Sequence, residues 1–384
     1  MGLTSTTVLL LAVLSAVLLF VGTVWKWPRL AGPGRRAVGA RVALLLATQL
    51  ALFASVGLAA NRAFGFYASW ADLFGQETEQ GVVVDHAGGG PLRVVDTRRV
   101  EGGGGRPEFG GRIQKVVVDG RTTHLASPAF VYLPPEYFDP AHRGRTFPAA
   151  VVLTGYPGTA EALVDKLDYP RTARGLAEDG RMQPMILVMM RPTVAPPRDT
   201  ECVDVPGGPQ TESFFAEDLP AAVASHYRVN RGPGGWGVIG DSTGGYCALK
   251  LAMHHPEVYG AGAGLSAYYK APSDPTTGDL FHGDATRRDE ADLRWFLKNR
   301  PAPATSLLVT SSKVGESNYK ATLEFIELAK ATHRTRISSI ILESGGHNFN
   351  TWRREIPPTL EWISGRLGGA ERPVTSADHP VDQK

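Results

Sequence analysis

Only two cysteines, Cys202 and Cys247, occur in 384 residues. That is too few for a fold built on disulfides or for a thiolate metal centre. Histidine does not make up the deficit, because no spacing of His and Cys resembles a usual ligand set, and no metal is expected. An excess of one charge is also missing: 40 basic and 38 acidic side chains leave a net +2, so bulk electrostatics imply neither a nucleic-acid nor an acidic partner. The glycine run Gly102–Gly105 has no Lys-Ser/Thr behind it. It reads as a flexible hairpin or loop rather than a phosphate cradle, and no cofactor is implied. The chain carries no internal repeat.

What the chain does have, near its start, is apolar length. Thr7 to Trp25 is uncharged, and Val42 to Ala60 is interrupted only by Gln49 among the larger polar side chains. At about 1.5 Å per helical residue each run is long enough to cross a bilayer core. The loop between them, Lys26 to Arg41, holds basic residues and no acidic ones. The positive-inside rule places such a loop in the cytoplasm and the rest of the chain on the outer face. A cleaved signal peptide competes for the first run, but Met1 to Thr7 has no positive charge and no obvious cleavage site follows. Trp25, Trp27, Phe64, Phe66, Tyr67 and Trp70 would serve as interfacial anchors or as packing residues.

The most informative stretch is Trp236 to Gly245, Trp-Gly-Val-Ile-Gly-Asp-Ser-Thr-Gly-Gly. It predicts a buried strand, a Gly-x-Ser-x-Gly turn and then a helix carrying Tyr246, Leu249, Leu251 and Ala252 on spacings a helix can bury. A serine on such a turn sits exposed at the strand end, where it can act as a nucleophile. A serine hydroxyl is a poor nucleophile at neutral pH. It needs a histidine base, an acid to orient that base, and donors for the oxyanion.

In folds that use this turn the partners follow in the order Ser, then Asp or Glu, then His. His254 and His255 close the helix after Ser242, His282 lies in a polar loop, His333 sits among Lys330, Arg334 and Arg336, and His379 lies in a polar tail. His347 is best placed, in a loop just past the apolar strand Ile337 to Leu342, although it could instead pack against Trp352. For the acid, Glu316 follows the strand Ser306 to Thr310 within a few residues, Glu324 lies in the helix beyond, and Glu343 just precedes His347. All three remain open, each with an exposed salt-bridging role as the alternative. The oxyanion donors expected are the backbone N–H of Thr243 and that of Tyr156, which follows the strand Ala149 to Leu153. Pro157 has no N–H to offer.

Three runs, GDSTGGYCALKLAMHHPEVYGAGAGLSAYY, VVLTGYPGT and SGGHNFNTWRREIPPTLEWI, resemble the esterase family of α/β-hydrolases that includes feruloyl esterases, S-formylglutathione hydrolases and mycolyltransferases. The resemblance covers about Gly111 to Leu367. It implies an α/β-hydrolase fold, with a mostly parallel central sheet and helices on both faces; the apolar runs read above place two transmembrane helices before it. It maps a catalytic histidine onto His347 and favours Glu316 as the acid, although mycolyltransferases place theirs deeper, nearer Glu324. Asp241, before the serine, departs from what many relatives carry there. The activity implied is hydrolysis of a small-molecule, lipid or glycan ester, with acyl transfer to a sugar or lipid hydroxyl as the alternative and an inactive envelope-binding module as a third reading.

The organisation expected is a membrane anchor over 1–75, a linker or small β-region over 76–110, a catalytic domain over 111–368 and a disordered tail over 369–384. Polar insertions from Pro196 to Pro209 and from Ala271 to Thr286 are candidates for shaping a substrate cleft. Cys202 and Cys247, if paired, would pin the first of these beside the nucleophile in an oxidising compartment.

Overall fold

The computed structural model describes residues 5–32, 34–64, 90–100, 110–196 and 198–368. Phe66, Tyr67, Trp70, Gly102–Gly105 and the segment 369–384, all read above from the sequence, lie outside the described residues.

The two apolar runs form helices α1 (Thr6–Lys26) and α2 (Arg35–Phe64), both long and apolar enough to cross a membrane. Each extends past its apolar run because the flanking Lys and Arg are themselves good helix formers. The helices meet through the hydroxyls of Thr23 and Thr48, 3.2 Å apart, each of which also donates to the carbonyl four residues back. Leucines and phenylalanines such as Leu18, Phe20, Leu50 and Phe53 point outward, the reverse of a water-soluble helix pair and what a lipid surround requires.

The remainder is built on a nine-stranded sheet in the order β1-β2-β3-β5-β4-β6-β7-β8-β9. Its strands are β1 (Leu92–Arg99), β2 (Arg112–Asp119), β3 (Ala126–Leu133), β4 (Ala149–Leu153), β5 (Ile186–Met190), β6 (Trp236–Asp241), β7 (Ala261–Leu265), β8 (Ser306–Val314) and β9 (Arg336–Ser344). The first three pair antiparallel, β3 pairs antiparallel with β5, and the other pairings are parallel. Strands β4, β5, β6 and β7 are buried along their whole length, as strands covered on both faces must be. β1 falls within the stretch read from the sequence as a linker or small β-region, and it extends the sheet on that side. β3 starts at Ala126 and passes through Pro128. A proline is tolerated there because β5 pairs only with Ala129–Tyr132, leaving Pro128 on a locally free edge.

Helices cover both faces. On one side α5 (Leu219–His226), α6 (Thr243–His254) and α9 (Tyr319–Lys330) bury Leu219, Val223, Leu249 and Phe325 against the sheet. On the other, α3 (Ala160–Asp165), α4 (Tyr169–Glu178) and α10 (Phe349–Ser364) bury Leu163, Leu176, Ile356 and Leu360. Two short helices, α7 (Ala285–Glu290) and α8 (Leu293–Asn299), follow the second polar insertion, each capped by the aspartate before it. The chain order reverses where β4 lies beside β6, and the carboxyl ends of these central strands open a crevice of the kind in which ligands of open α/β sheets bind.

Candidate active site

β6 runs straight into Ser242, whose φ of 54° and ψ of −118° belong to a region other non-glycine residues avoid. The sequence makes this possible by omitting side chains. A Cβ on Gly240 would overlap the carbonyl of Gly244, and one on Gly244 would overlap the carbonyls of Leu153 and Thr154. The turn is then locked by the Ser242 N–H donating to Leu265 O at 2.9 Å and the Tyr246 N–H donating to Ser242 O at 3.0 Å. The serine is thus held at the end of the central strand, at the N-terminus of α6.

His347 arrives from the loop after β9. Its Nε2 lies 2.8 Å from Ser242 Oγ across 105 residues of sequence. The ring also stands edge-on to Trp352 at 5.3 Å, so the packing role weighed from the sequence accompanies the contact with Ser242 rather than replacing it. Trp352 is fixed in turn by its Nε1–H donating to Ser266 Oγ at 2.9 Å. Asn348 accepts the Asn350 and Thr351 N–H groups at 3.0 and 3.3 Å, which starts α10 directly after the histidine.

The three candidate acids separate by burial. Glu324 is half exposed and faces Arg294 at 3.5 Å, and Glu343 is exposed and bonded to Lys313 at 2.6 Å. The Glu316 side chain is 1% exposed, its Oε1 lies 3.8 Å from His347 Nδ1, and its Oε2 accepts the Ser312 N–H at 3.0 Å. Only Glu316 of the three reaches the imidazole. The 3.8 Å separation is an ion-pair distance, longer than a hydrogen bond and of the looser kind common in sites without ligand.

Thr243 opens α6, where a backbone N–H has no acceptor inside the helix. Tyr156 lies with Thr154, Gly155 and Gly158 on the opposite wall of a cleft of about 310 Å³ that exposes Ser242 and His347. The rest of the lining is mostly apolar, with Ala162, Leu163, Leu167, Phe349 and Trp352. The Gly155 N–H is already committed, donating to Asp241 Oδ2 at 2.9 Å.

Several polar residues around the site gave no sign in the sequence. Asp241 is 2% exposed, and burial pushes its carboxyl up to about 7 against the opposing pull of the Gly155 N–H and His347. Glu355 on α10 is fully buried, and burial together with nearby Glu316 and Asp241 drives it to about 8, with Thr310 and Arg354 opposing. Their common neighbour Tyr169 is held well above its usual value by burial and by both carboxyls. His254 and His255 are not simple helix-end cations. His254 Nδ1 and His255 Nε2 lie 2.8 and 3.1 Å from Glu212 Oε1, and the other carboxylate oxygen, Oε2, pairs with buried Lys250. Although burial raises Glu212, Lys250 and the two imidazoles hold it well below the carboxylate range. The two cysteines are joined, Cys202 to Cys247. The disulfide is the pairing the sequence offers; for the buried carboxyls and the Glu212 cluster the only sequence signal was apolar context around a polar letter, shared by many solvated positions.

A nine-stranded, mostly parallel sheet flanked by helices, with a serine on the strand-to-helix turn at its centre, defines an α/β-hydrolase fold. A family model described as "Putative esterase" matches residues 124–363, more than half of the chain. The chain therefore belongs to the esterase family. An uncharacterized protein of Corynebacterium glutamicum is 24% identical over 254 residues, 63% of this chain, and the match spans 58% of that relative's length. Among solved structures the fold is similar to a ferulic acid esterase, with a TM-score of 0.57 and 15% identity over 68% of this chain and 100% of that one. It is also similar to the S-formylglutathione hydrolase of Agrobacterium tumefaciens, with a TM-score of 0.54 and 19% identity over 68% of this chain and 98% of that one.

Proposed function

We propose that the chain is a membrane-anchored serine esterase working at the outer face of the membrane through Ser242, His347 and Glu316. The observation that carries this reading is the 2.8 Å contact of His347 Nε2 with Ser242 Oγ on a turn whose backbone is held in a strained conformation. Strain of that kind gathers at functional sites. In the proposed reaction Ser242 Oγ attacks the ester carbonyl as His347 takes its proton, and Glu316 holds the imidazole in the tautomer that can accept it. The tetrahedral oxyanion is received by the N–H groups of Thr243 and Tyr156, each worth about 3 kcal/mol in sites of this type. Collapse of the intermediate breaks the bond to the alcohol, which leaves with the proton from His347. Water, deprotonated by the same imidazole, then releases the acid and restores Ser242.

The apolar lining of the cleft fits the acyl side of the ester, because the side chains of Leu163, Leu167 and Phe349 offer no partner to a polar group. The basic, acid-free loop between α1 and α2 supports a cytoplasmic loop and an external catalytic unit.

The test is fluorophosphonate labelling of the full chain in detergent beside Ser242→Ala, with p-nitrophenyl acyl esters of increasing chain length assayed in parallel. Labelling and hydrolysis lost together in the variant are expected. A folded wild-type protein that neither labels nor hydrolyses any ester in the series would overturn the reading.

A further inference from the structure

Glu201 and Cys202 are consecutive non-glycine residues with φ values of 50° and 49°. Such a conformation is unfavourable for a non-glycine residue and persists only where its surroundings over-determine it. Here the surroundings are ties to α6, the helix that begins at the nucleophile. Cys202 is bonded to Cys247, with the two Cα atoms 5.6 Å apart, and the Cys202 carbonyl accepts from Lys250 Nζ at 2.6 Å.

The strained pair turns a buried carboxyl toward Ser242's neighbour. Glu201 is 1% exposed, and Tyr268 Oη lies 2.6 Å from both of its carboxyl oxygens and 3.1 Å from Thr243 Oγ1. The Tyr268 ring is stacked on Tyr246 at 5.2 Å, so the phenol is fixed in place between acid and threonine. The chain of contacts ends on the residue whose N–H is assigned above to the oxyanion.

We propose that Glu201 is a positioning residue for the oxyanion half of the site, acting through Tyr268 on Thr243, and that the Cys202–Cys247 bond is the brace that keeps it there. This rests on the esterase reading above. A carboxyl, a phenol and a hydroxyl in a row have two hydrogen-bond polarities. When Glu201 carries a proton it donates to Tyr268 Oη, and the Tyr268 O–H is free to donate to Thr243 Oγ1. When Glu201 is ionised the Tyr268 O–H turns back to it, and Thr243 becomes the donor to Tyr268. Burial pushes Glu201 up to about 9, with Asp199 and Asp274 adding to the rise and Tyr268 and Lys250 opposing it. The ionisable groups around it are thus Asp199, Asp274, Lys250, Tyr268 and, beneath Tyr268, Tyr246. Through neutral pH the first polarity holds.

The experiment compares kcat, KM and their pH profiles, with p-nitrophenyl ester as substrate, for the full chain in detergent. The variants are Tyr268→Phe, Glu201→Ala, Glu201→Gln and the double variant Cys202→Ala/Cys247→Ala, each also tested for fluorophosphonate labelling. Tyr268→Phe and Glu201→Ala should lower kcat about tenfold while KM stays within about twofold. Glu201→Gln, which keeps the shape and both bonding capacities, should recover most of kcat at pH 7 and lack the rate change near pH 9. The cysteine pair should reproduce the Glu201→Ala loss, and combining the two should add little to it. If Glu201→Ala does not fold, Tyr268→Phe and Glu201→Gln decide. Wild-type kcat in Tyr268→Phe, or an alkaline profile unchanged in Glu201→Gln, overturns the proposal while labelled wild type leaves the esterase reading standing. Absence of labelling and turnover in folded wild type overturns both.

Discussion

Asp241 Oδ2 accepts the Gly155 N–H at 2.9 Å, joining the residue before the nucleophile to the loop that carries Tyr156. The two walls of the cleft are therefore held in register by one buried hydrogen bond. The other oxygen, Oδ1, is buried without a hydrogen-bond partner among the described residues. Replacing Asp241 by Ala should lower kcat by about tenfold or more, because the Gly155 N–H loses its acceptor and the Tyr156 amide its support. Asp241→Asn, which keeps an acceptor, should lose much less. Steady-state kinetics on the two variants check this, and equal losses would show that the bond does not matter to the reaction.

Stability should fall as pH rises from about 4 to 8. Asp241 and Glu355 are raised to about 7 and about 8, so in this window the folded chain binds more protons than the unfolded one, and that excess makes unfolding easier at each step upward. Their contribution is complete below the unfolded carboxylate values near 4 and is lost as pH passes the folded ones. Thermal melting of Glu355→Gln against wild type isolates the effect. The variant should gain Tm relative to wild type at pH 8 and gain least at pH 5, and parallel curves would exclude Glu355 as a source.

Replacing Glu316 by Gln should cut kcat by about 100-fold or more, since the imidazole loses the charge that fixes its tautomer and stabilises its protonated form. Glu324→Gln and Glu343→Gln, which break only exposed ion pairs, should stay within about twofold. Ester hydrolysis at saturating substrate separates the three. A large loss in Glu324→Gln would move the acid to α9.

Gly240→Ala should destabilise the fold by about 1–3 kcal/mol or more, because the new methyl meets the Gly244 carbonyl in a turn with no room to shift. Denaturant unfolding measures it. A midpoint equal to wild type would mean that the elbow is looser than its packing indicates.

The loop between the helices should be cytoplasmic. Ala31→Cys in intact cells should react with a membrane-impermeant maleimide only after permeabilisation, while external protease should reach the hydrolase unit without it. The reverse pattern would invert the proposed topology.

The parts of the site most legible in the sequence were those whose constraint is local. Gly240 and Gly244 announce Ser242 because no other residue fits the turn, and the Gly345-Gly346-His347 loop after an apolar strand announces the histidine. The family resemblance favoured Glu316, but the residues alone left Glu324 and Glu343 open: all three flank the last two strands, and they differ in burial, a property of packing. Glu355 was invisible for a related reason. It lies on a helix where glutamate reads as a solvated face, and only the fold places it under the sheet with Asp241 and Tyr169.

The bond between Cys202 and Cys247 closes a segment 45 residues long with Ser242 inside it. A cross-link of that span removes about 4 kcal/mol of chain entropy from the unfolded ensemble. Redox compartment thereby becomes a folding condition. A molecule inserted the wrong way round would keep its thiols reduced, forgo that margin, and face proteolysis as the less stable form. Under the proposed topology, orientation and competence would thus be inherited together, with no separate device needed to silence misinserted copies.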